Sequence, residues 1–289
     1  MLYLHEFIRH GARAPYELFG PGYYVKATGL QELTAVGWRQ HYIAGQSLKN
    51  SYPNIFKGML KNNEIYVRST AYNRTINSAS AHLSGIFSDF QPISLPFNNP
   101  NSKTYLPGYH KNFEPSQIKF KTPIPGQYLP YPIHSALQET QDYVLNMGTT
   151  PEQCPKAHKK YHNHSDQEFV QIKESTTFKV LIKHLVKKYN LKIKGTVKDL
   201  DLFTTIDIAD YLLCDYGNSR KPIINNKKDF VGTSKLYAVA LSAIWNKDWA
   251  KVLVSAWLKE IQKGLNDKAQ NYQMIKSGSD VAVNPMKYQ

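Results

Sequence analysis

The sequence predicts an α/β fold that carries a mainly helical insertion. Three observations lead there. Residues 1–90 run strand, loop, helix, strand, helix, the order expected when helices pack on a sheet. Residues 91–132 hold nine prolines, too many for regular structure. Beyond them the apolar spacing becomes helical in one stretch after another. The expected division is a discontinuous α/β core over 1–96 and 229–289, with the insertion over 97–228.

Residues 2–8 read as a short strand running directly into His10-Gly11. Residues 16–30, rich in Gly, Pro and Tyr, read as a loop. Thr34 is a candidate N-cap for a helix over 35–50, whose apolar positions include Val36, Tyr42, Ile43 and Leu48. Residues 64–68, Glu-Ile-Tyr-Val-Arg, alternate and are β-branched, as in a second strand. Ser69-Thr70 can cap a helix over 72–87, where Ala71, Ser78, Ala79, Ala81 and Gly85 allow close packing. Helical spacing returns at 134–147, 165–189 and 198–214, and over 233–265 with a break near Asn246-Lys247-Asp248. Residues 272–276 are expected to form a last core strand, ending at Ser277-Gly278. There are no internal repeats.

The formal charge of +14 has two readings. An even excess of Lys alongside abundant Asn and Tyr fits compositional bias and a solvated surface. The sharper reading is an anionic partner: nucleic acid, an acidic membrane surface or a phosphorylated substrate. Of 36 basic residues only six are Arg. Arg9, Arg13, Arg68 and Arg74 fall in two short segments; Arg39 and Arg220 are the remainder. Guanidinium groups bind phosphate oxygens in a two-pronged way that Lys cannot match. No apolar run approaches the roughly 18 residues needed to span a membrane. No cationic leader with an apolar stretch precedes residue 10, so the chain is expected to be cytosolic or to lack its leader in this form. Two cysteines, Cys154 and Cys214, exclude a disulfide scaffold and a four-cysteine zinc site.

The strongest candidate site is Arg9-His10-Gly11-Ala12-Arg13-Ala14-Pro15, at the C-terminal end of the first expected strand, where open α/β sheets place ligands. A His there can attack phosphorus and split hydrolysis into two steps. Arg9 and Arg13 can hold the phosphoryl oxygens, since phosphoryl transfer chiefly needs electrostatic stabilisation. Gly11 lets the backbone approach the phosphate. The bland alternative is a basic surface loop. Tyr66-Val67-Arg68-Ser69-Thr70 repeats the geometry of strand, Arg and helix start. Arg68 is therefore expected to bring a third guanidinium, and Arg74, six residues on, to support by packing or pairing.

These residues resemble the histidine acid phosphatases, branch 2 of the histidine phosphatase superfamily. Arg9-His10-Gly11-x-Arg13-x-Pro15 matches the family signature. The stretch Leu33-Thr34-Ala35-Val36-Gly37-Trp38-Arg39-Gln40-His41 resembles the helix after the family's first loop. Arg68-Ser69-Thr70 through Arg74-Thr75-x-x-Ser78-Ala79 resembles its third-arginine segment. The resemblance implies a phosphoglycerate-mutase-like three-layer α/β core with an inserted helical cap. It implies phosphomonoester hydrolysis through a phosphohistidine on His10, with phosphate held by Arg9, Arg13 and Arg68. It implies no metal and no organic cofactor, and a small phosphorylated substrate as partner.

The family also expects Ser-Gly-His-Asp or Ser-Ala-His-Asp after the last core strand. This chain reads Ser277-Gly278-Ser279-Asp280. Asp280 would keep the role of general acid, while Ser279 replaces the phosphate-binding His. Loss of one such donor costs on the order of 10² to 10³ in rate. The alternative expectation is a catalytically impaired homologue that binds phosphate or a phosphorylated ligand.

Weaker signals point elsewhere. His5-Glu6-Phe7-Ile8-Arg9-His10 is one residue too long for the H-E-x-x-H zinc motif. His158, His162 and His164 lie in a Lys-rich, loop-like stretch, more in keeping with a solvated segment than a metal site. Asn163-His164-Ser165 and Asn73-Arg74-Thr75 fit the glycosylation sequon. The resemblance implies a lysosomal or secreted glycoprotein if a leader is missing, and leaves pairing of Cys154 with Cys214 open. A nucleic-acid-binding protein would rest on the charge alone, and no nucleic-acid module is present, so no nucleic-acid partner is expected.

Overall fold

The computed structural model describes residues 3–57, 60, 64–89, 131–136, 145, 155–244 and 247–276. They form a helix-rich fold with one small parallel sheet. The elements are α1 (Val25–Thr28), α2 (Ala35–Ser51), β1 (Val67–Arg68), α3 (Asn73–Ile86), β2 (Ile133–His134), α4 (Pro155–Glu174), α5 (Thr176–Lys188), α6 (Leu202–Asn218), α7 (Lys227–Ile244) and α8 (Lys247–Lys276).

The long helices start where their caps dictate. Thr34 accepts the Gly37 N–H and opens α2. Ser175 accepts the Phe178 N–H, so the single helix expected over 165–189 is split into α4 and α5. A Thr196–Asp199 capping box closes a 3-10 turn, and Asp201 then caps α6, which begins later than the expected 198. The expected break near Asn246 falls between α7 and α8. Residues 158–164, expected as a loop, lie within α4.

α2 and α3 cross at two glycines. A Cβ on Gly45 would fall 2.1 Å from the His82 carbonyl oxygen, and one on Gly85 would fall 2.0 Å from that of Tyr42. Phe56, Leu83, Ile86 and Phe87 form the core beneath, with Ile65, Val67, Tyr131 and Ile133 packed on it. A second, larger core joins α4–α7 through Phe178, Ile182, Leu185, Ile208, Tyr211, Leu212 and Ala240. Phe19 enters it from the N-terminal loop, and Tyr211 donates its hydroxyl to the Pro21 carbonyl (2.9 Å).

The sheet is smaller than expected. Only Val67 and Arg68 of the 64–68 stretch pair, in parallel with Ile133 and His134. Both belong to the stretch assigned to the insertion, and His134 is where a helix over 134–147 is expected to begin. Of the stretch expected as a strand over 2–8, the described residues 3–8 carry no ladder. They lie along α8 instead: Trp257 Nε1 donates to His5 Nε2 (3.1 Å), and the Phe7 and Trp257 rings sit 4.7 Å apart. A helix keeps its N–H and C=O groups for itself, so it offers a neighbouring segment no ladder. Residues 272–276, expected as a strand, are the last turns of α8. No Pro interrupts that helix, and the Ser277-Gly278 pair follows only after it ends. Among the described residues no helix is long and apolar enough to cross a membrane.

Candidate active site

Residues 9–16 form a seam between the two cores. On one side the Gly11 N–H donates to Ser78 Oγ on α3 (3.0 Å), and the Ala12 N–H to Gln40 Oε1 on α2 (2.8 Å). Gly11 and Gly37 make the approach possible: a Cβ on Gly11 would meet the Gly37 carbonyl at 2.6 Å, and one on Gly37 the Ala12 carbonyl at 2.2 Å. Residues 12–15 are laced to 31–34 by Ala14 N to Glu32 O (2.9 Å), Thr34 N to Ala12 O (3.0 Å) and Gln31 N to Pro15 O (3.1 Å). On the other side Arg13 reaches α6.

Arg13 is buried, and both its terminal nitrogens grip Asp210 (2.9 and 2.8 Å). Asp210 Oδ2 also accepts the Tyr16 N–H (3.2 Å), and Asn218 Nδ2 donates to the Arg13 carbonyl (3.1 Å). The Arg13 guanidinium lies over the Tyr16 ring at 4.1 Å. Arg74, also buried, stacks over Tyr72 at 4.0 Å and approaches Tyr16 at 5.8 Å. The Nε of Arg13 and the Nε of Arg74 are both buried with no hydrogen-bond acceptor. Two desolvated guanidinium groups with donors to spare make a site that favours an anion.

The charges of both act on His10. Its Nδ1 is 2.8 Å from the Gly11 carbonyl oxygen. A carbonyl only accepts, so Nδ1 carries the proton and the neutral ring keeps its lone pair on Nε2. Burial, helped by the charges of Arg9, Arg13 and Arg74 and opposed by that hydrogen bond, lowers the His10 pKa to about 4. The ring therefore stays neutral under mildly acid conditions, with the Nε2 lone pair available. Arg9 is exposed, and its charge acts on the Tyr237 phenol of α7.

The structure places Arg9, Arg13 and Arg74 where their charges act on His10. Arg68 points elsewhere: from β1 its Nη1 lies 3.6 Å from Glu260 Oε2 on α8. Ser279 and Asp280 lie outside the described residues, as does Cys154. Among the described residues Cys214 has no disulfide partner, and its sulfur lies 3.8 Å from Arg13 Nη1. The sequence did hold a signal for Arg74. It shares the buried face of α3 with Ser78, Ala81, His82 and Gly85, and an Arg on such a face calls for an anion. Asp210 had no comparable signal, since its partner lies 197 residues away.

A family model described as histidine phosphatase superfamily (branch 2) matches residues 1–284. The lysosomal acid phosphatase of Xenopus laevis is 28% identical over 210 residues, covering 72% of this chain and 40% of that protein. A putative acid phosphatase 5 of Caenorhabditis elegans is 43% identical over 93 residues, covering 32% of this chain and 22% of that protein. The human lysosomal acid phosphatase is 26% identical over 210 residues, covering 72% of this chain and 41% of that protein. The chain spans less than half the length of these curated relatives.

Proposed function

The chain belongs to the histidine phosphatase superfamily, branch 2, and from that membership we propose that it hydrolyses phosphomonoesters through a phosphohistidine on His10. The observation that carries the reading is the His10 Nδ1 contact with the Gly11 carbonyl, which leaves the Nε2 lone pair free for phosphorus. In the first step Nε2 bonds to phosphorus and the ester P–O bond breaks. The leaving oxygen takes a proton from the Asp280 carboxyl. In the second step water loses a proton to the Asp280 carboxylate and bonds to phosphorus, the P–N bond breaks, and inorganic phosphate and neutral His10 are released. Arg13 and Arg74 hold the phosphoryl oxygens, with Arg9 at the exposed edge. The burial of Arg74 beside His10 and the turn of Arg68 towards Glu260 favour Arg74 over Arg68 as the third guanidinium. These steps use only side chains and water.

On this reading residues 1–96 and 229–289 supply the three-layer core, joined by Ile133 and His134 through β1, and the rest of 97–228 is the cap that selects a small phosphorylated substrate. The relatives named lysosomal acid phosphatase support a lysosomal or secreted route, with Asn163 as the glycan acceptor. The test is hydrolysis of an aryl phosphate by the wild type and by His10→Ala. Turnover that survives the substitution overturns the nucleophile.

A second reading rests on one observation, Ser279 where the family carries His. The chain would then bind phosphate and turn over slowly. Ser279→His separates the two readings. A large gain in turnover supports the impaired homologue, and no gain counts against Ser279 as the matching position.

A further inference from the structure

Behind the nucleophile lie two buried histidines that the reaction does not use. His41 on α2 and His82 on α3 face each other across the glycine crossing, ring centroids 6.0 Å apart at 73°. Imidazoles are poor filling for such a place, because each brings two polar nitrogens that burial leaves without water. Nδ1 of each ring indeed has no partner. What the rings gain in return lies on the segment that carries His10. The Arg9 carbonyl faces the His41 ring and favours its protonated form. Nδ1 has no partner, which leaves Nε2 as the nitrogen able to donate to that carbonyl. The Cδ2 of the same ring lies 2.9 Å from where a Cβ on Gly11 would stand. One imidazole therefore supports the residue before the nucleophile and the residue after it.

The His82 ring backs His41, and its Nε2 lies 2.9 Å from Glu6 Oε2. That is an ion-pair distance, although the nitrogen does not aim along the hydrogen-bond line. Glu6 stands four residues ahead of His10 in the same segment. The segment is thus held at two points, by Glu6 on α3 and by Arg9 and Gly11 on α2, with the two rings in contact between them.

We propose that His41, backed by the Glu6–His82 pair, is a positioning residue that sets the backbone on both sides of His10 for in-line attack. This rests on the phosphatase reading for its catalytic consequence, but its structural content stands apart from it. Leu in place of His41 fills similar space without the donor. Gln restores a donor at the same distance along the side chain, and Asn, one carbon shorter, does not reach.

The experiment compares wild type, His41→Leu, His41→Gln and His41→Asn with 4-nitrophenyl phosphate, together with hydrogen exchange of the Gly11 amide. A displaced attacking group can cost about 10² in rate. His41→Leu is expected to lower kcat by about that factor with KM little changed, and His41→Gln to recover most of it. A purely space-filling role predicts the reverse order, with Leu the better substitute. Should the Leu variant fail to fold, Gln against Asn makes the same comparison with both side chains polar. The Gly11 amide, held by Ser78, is expected to exchange faster in Leu and Asn and at the wild-type rate in Gln. Equal protection in all folded variants overturns the proposal. A wild type without turnover sinks the phosphatase reading, and the exchange comparison still decides this one.

Discussion

Arg13 and Asp210, 197 residues apart in the chain, are joined by two parallel hydrogen bonds of 2.8 and 2.9 Å with both side chains buried. The pair ties the segment that carries His10 to α6, and so one core to the other. It also commits both terminal nitrogens of Arg13, leaving Nε without an acceptor.

Asp210→Ala leaves that guanidinium buried and uncompensated. Removing one partner of such a pair costs about 3–5 kcal/mol. The expected result in urea denaturation is a loss of that order. Inorganic phosphate should restore part of it, because an anion that binds only the folded chain stabilises by mass action. A variant as stable as wild type, or one that phosphate does not help, contradicts Arg13 as both latch and anion donor.

The His10 ring provides a pH test. Its pKa falls to about 4 from the ordinary 6.5, chiefly through burial. Between those values the unfolded chain binds more protons at this ring than the folded one. Its contribution to stability is therefore full above 6.5 and is lost as the pH drops towards 4. The Cε1–H resonance of His10 should titrate with a midpoint near 4, and bound phosphate should raise it. A midpoint at the ordinary value in the free protein argues against a buried ring flanked by guanidinium groups.

Arg74 and Arg68 make opposite predictions. Arg74→Ala removes a buried donor beside His10 and should lower kcat/KM by about 10² to 10³. Arg68→Ala breaks a part-exposed contact to Glu260 at 3.6 Å and should cost less than about tenfold, as such pairs contribute little. A larger loss from Arg68→Ala would return the third phosphate ligand to β1.

This contrast shows what was legible in the sequence. Arg9 to Pro15 is a contiguous motif, and its backbone contacts depend on local glycines, so the site's centre could be read directly. Thr34 and the small residues of α3 announced their helices for equally local reasons. Arg68 was favoured because ligands gather at strand ends, yet β1 is two residues long and its end faces α8. The partners of Arg13 and His41 depend on which helices meet, which no local pattern states. Residues 272–276 carry enough β-branched and aromatic character to suggest a strand, but they continue a long helix with nothing to stop it.

Cys214 should be inert. Burial, aided by Asp210, pushes its thiol up to about 12, so at pH 8 the thiolate is scarce. In the folded chain the Cys214 peptide should resist iodoacetamide, and denaturation should expose it to alkylation. Rapid labelling of the native protein would mean that the seam against Arg13 opens.

The glycine crossing supplies the last test. At Gly85 a methyl group would stand 2.0 Å from the Tyr42 carbonyl oxygen, a distance no rotamer can relieve because the backbone fixes the Cβ position and the oxygen is itself a backbone atom. α2 and α3 must then part, and overpacking of this kind costs about 1–3 kcal/mol and occasionally more. His41 and His82 ride on the two faces that part, so Gly85→Ala should lower kcat as well as stability. Gly217, near the end of α6, is the control. Nothing lies within 4 Å of its Cβ position, so Gly217→Ala should be neutral or stabilise by about 0.5–1 kcal/mol through the unfolded chain's lost freedom. Urea midpoints and kcat measured on both variants decide the matter. If the two substitutions behave alike, the close approach of α2 to α3 does not hold the nucleophile segment.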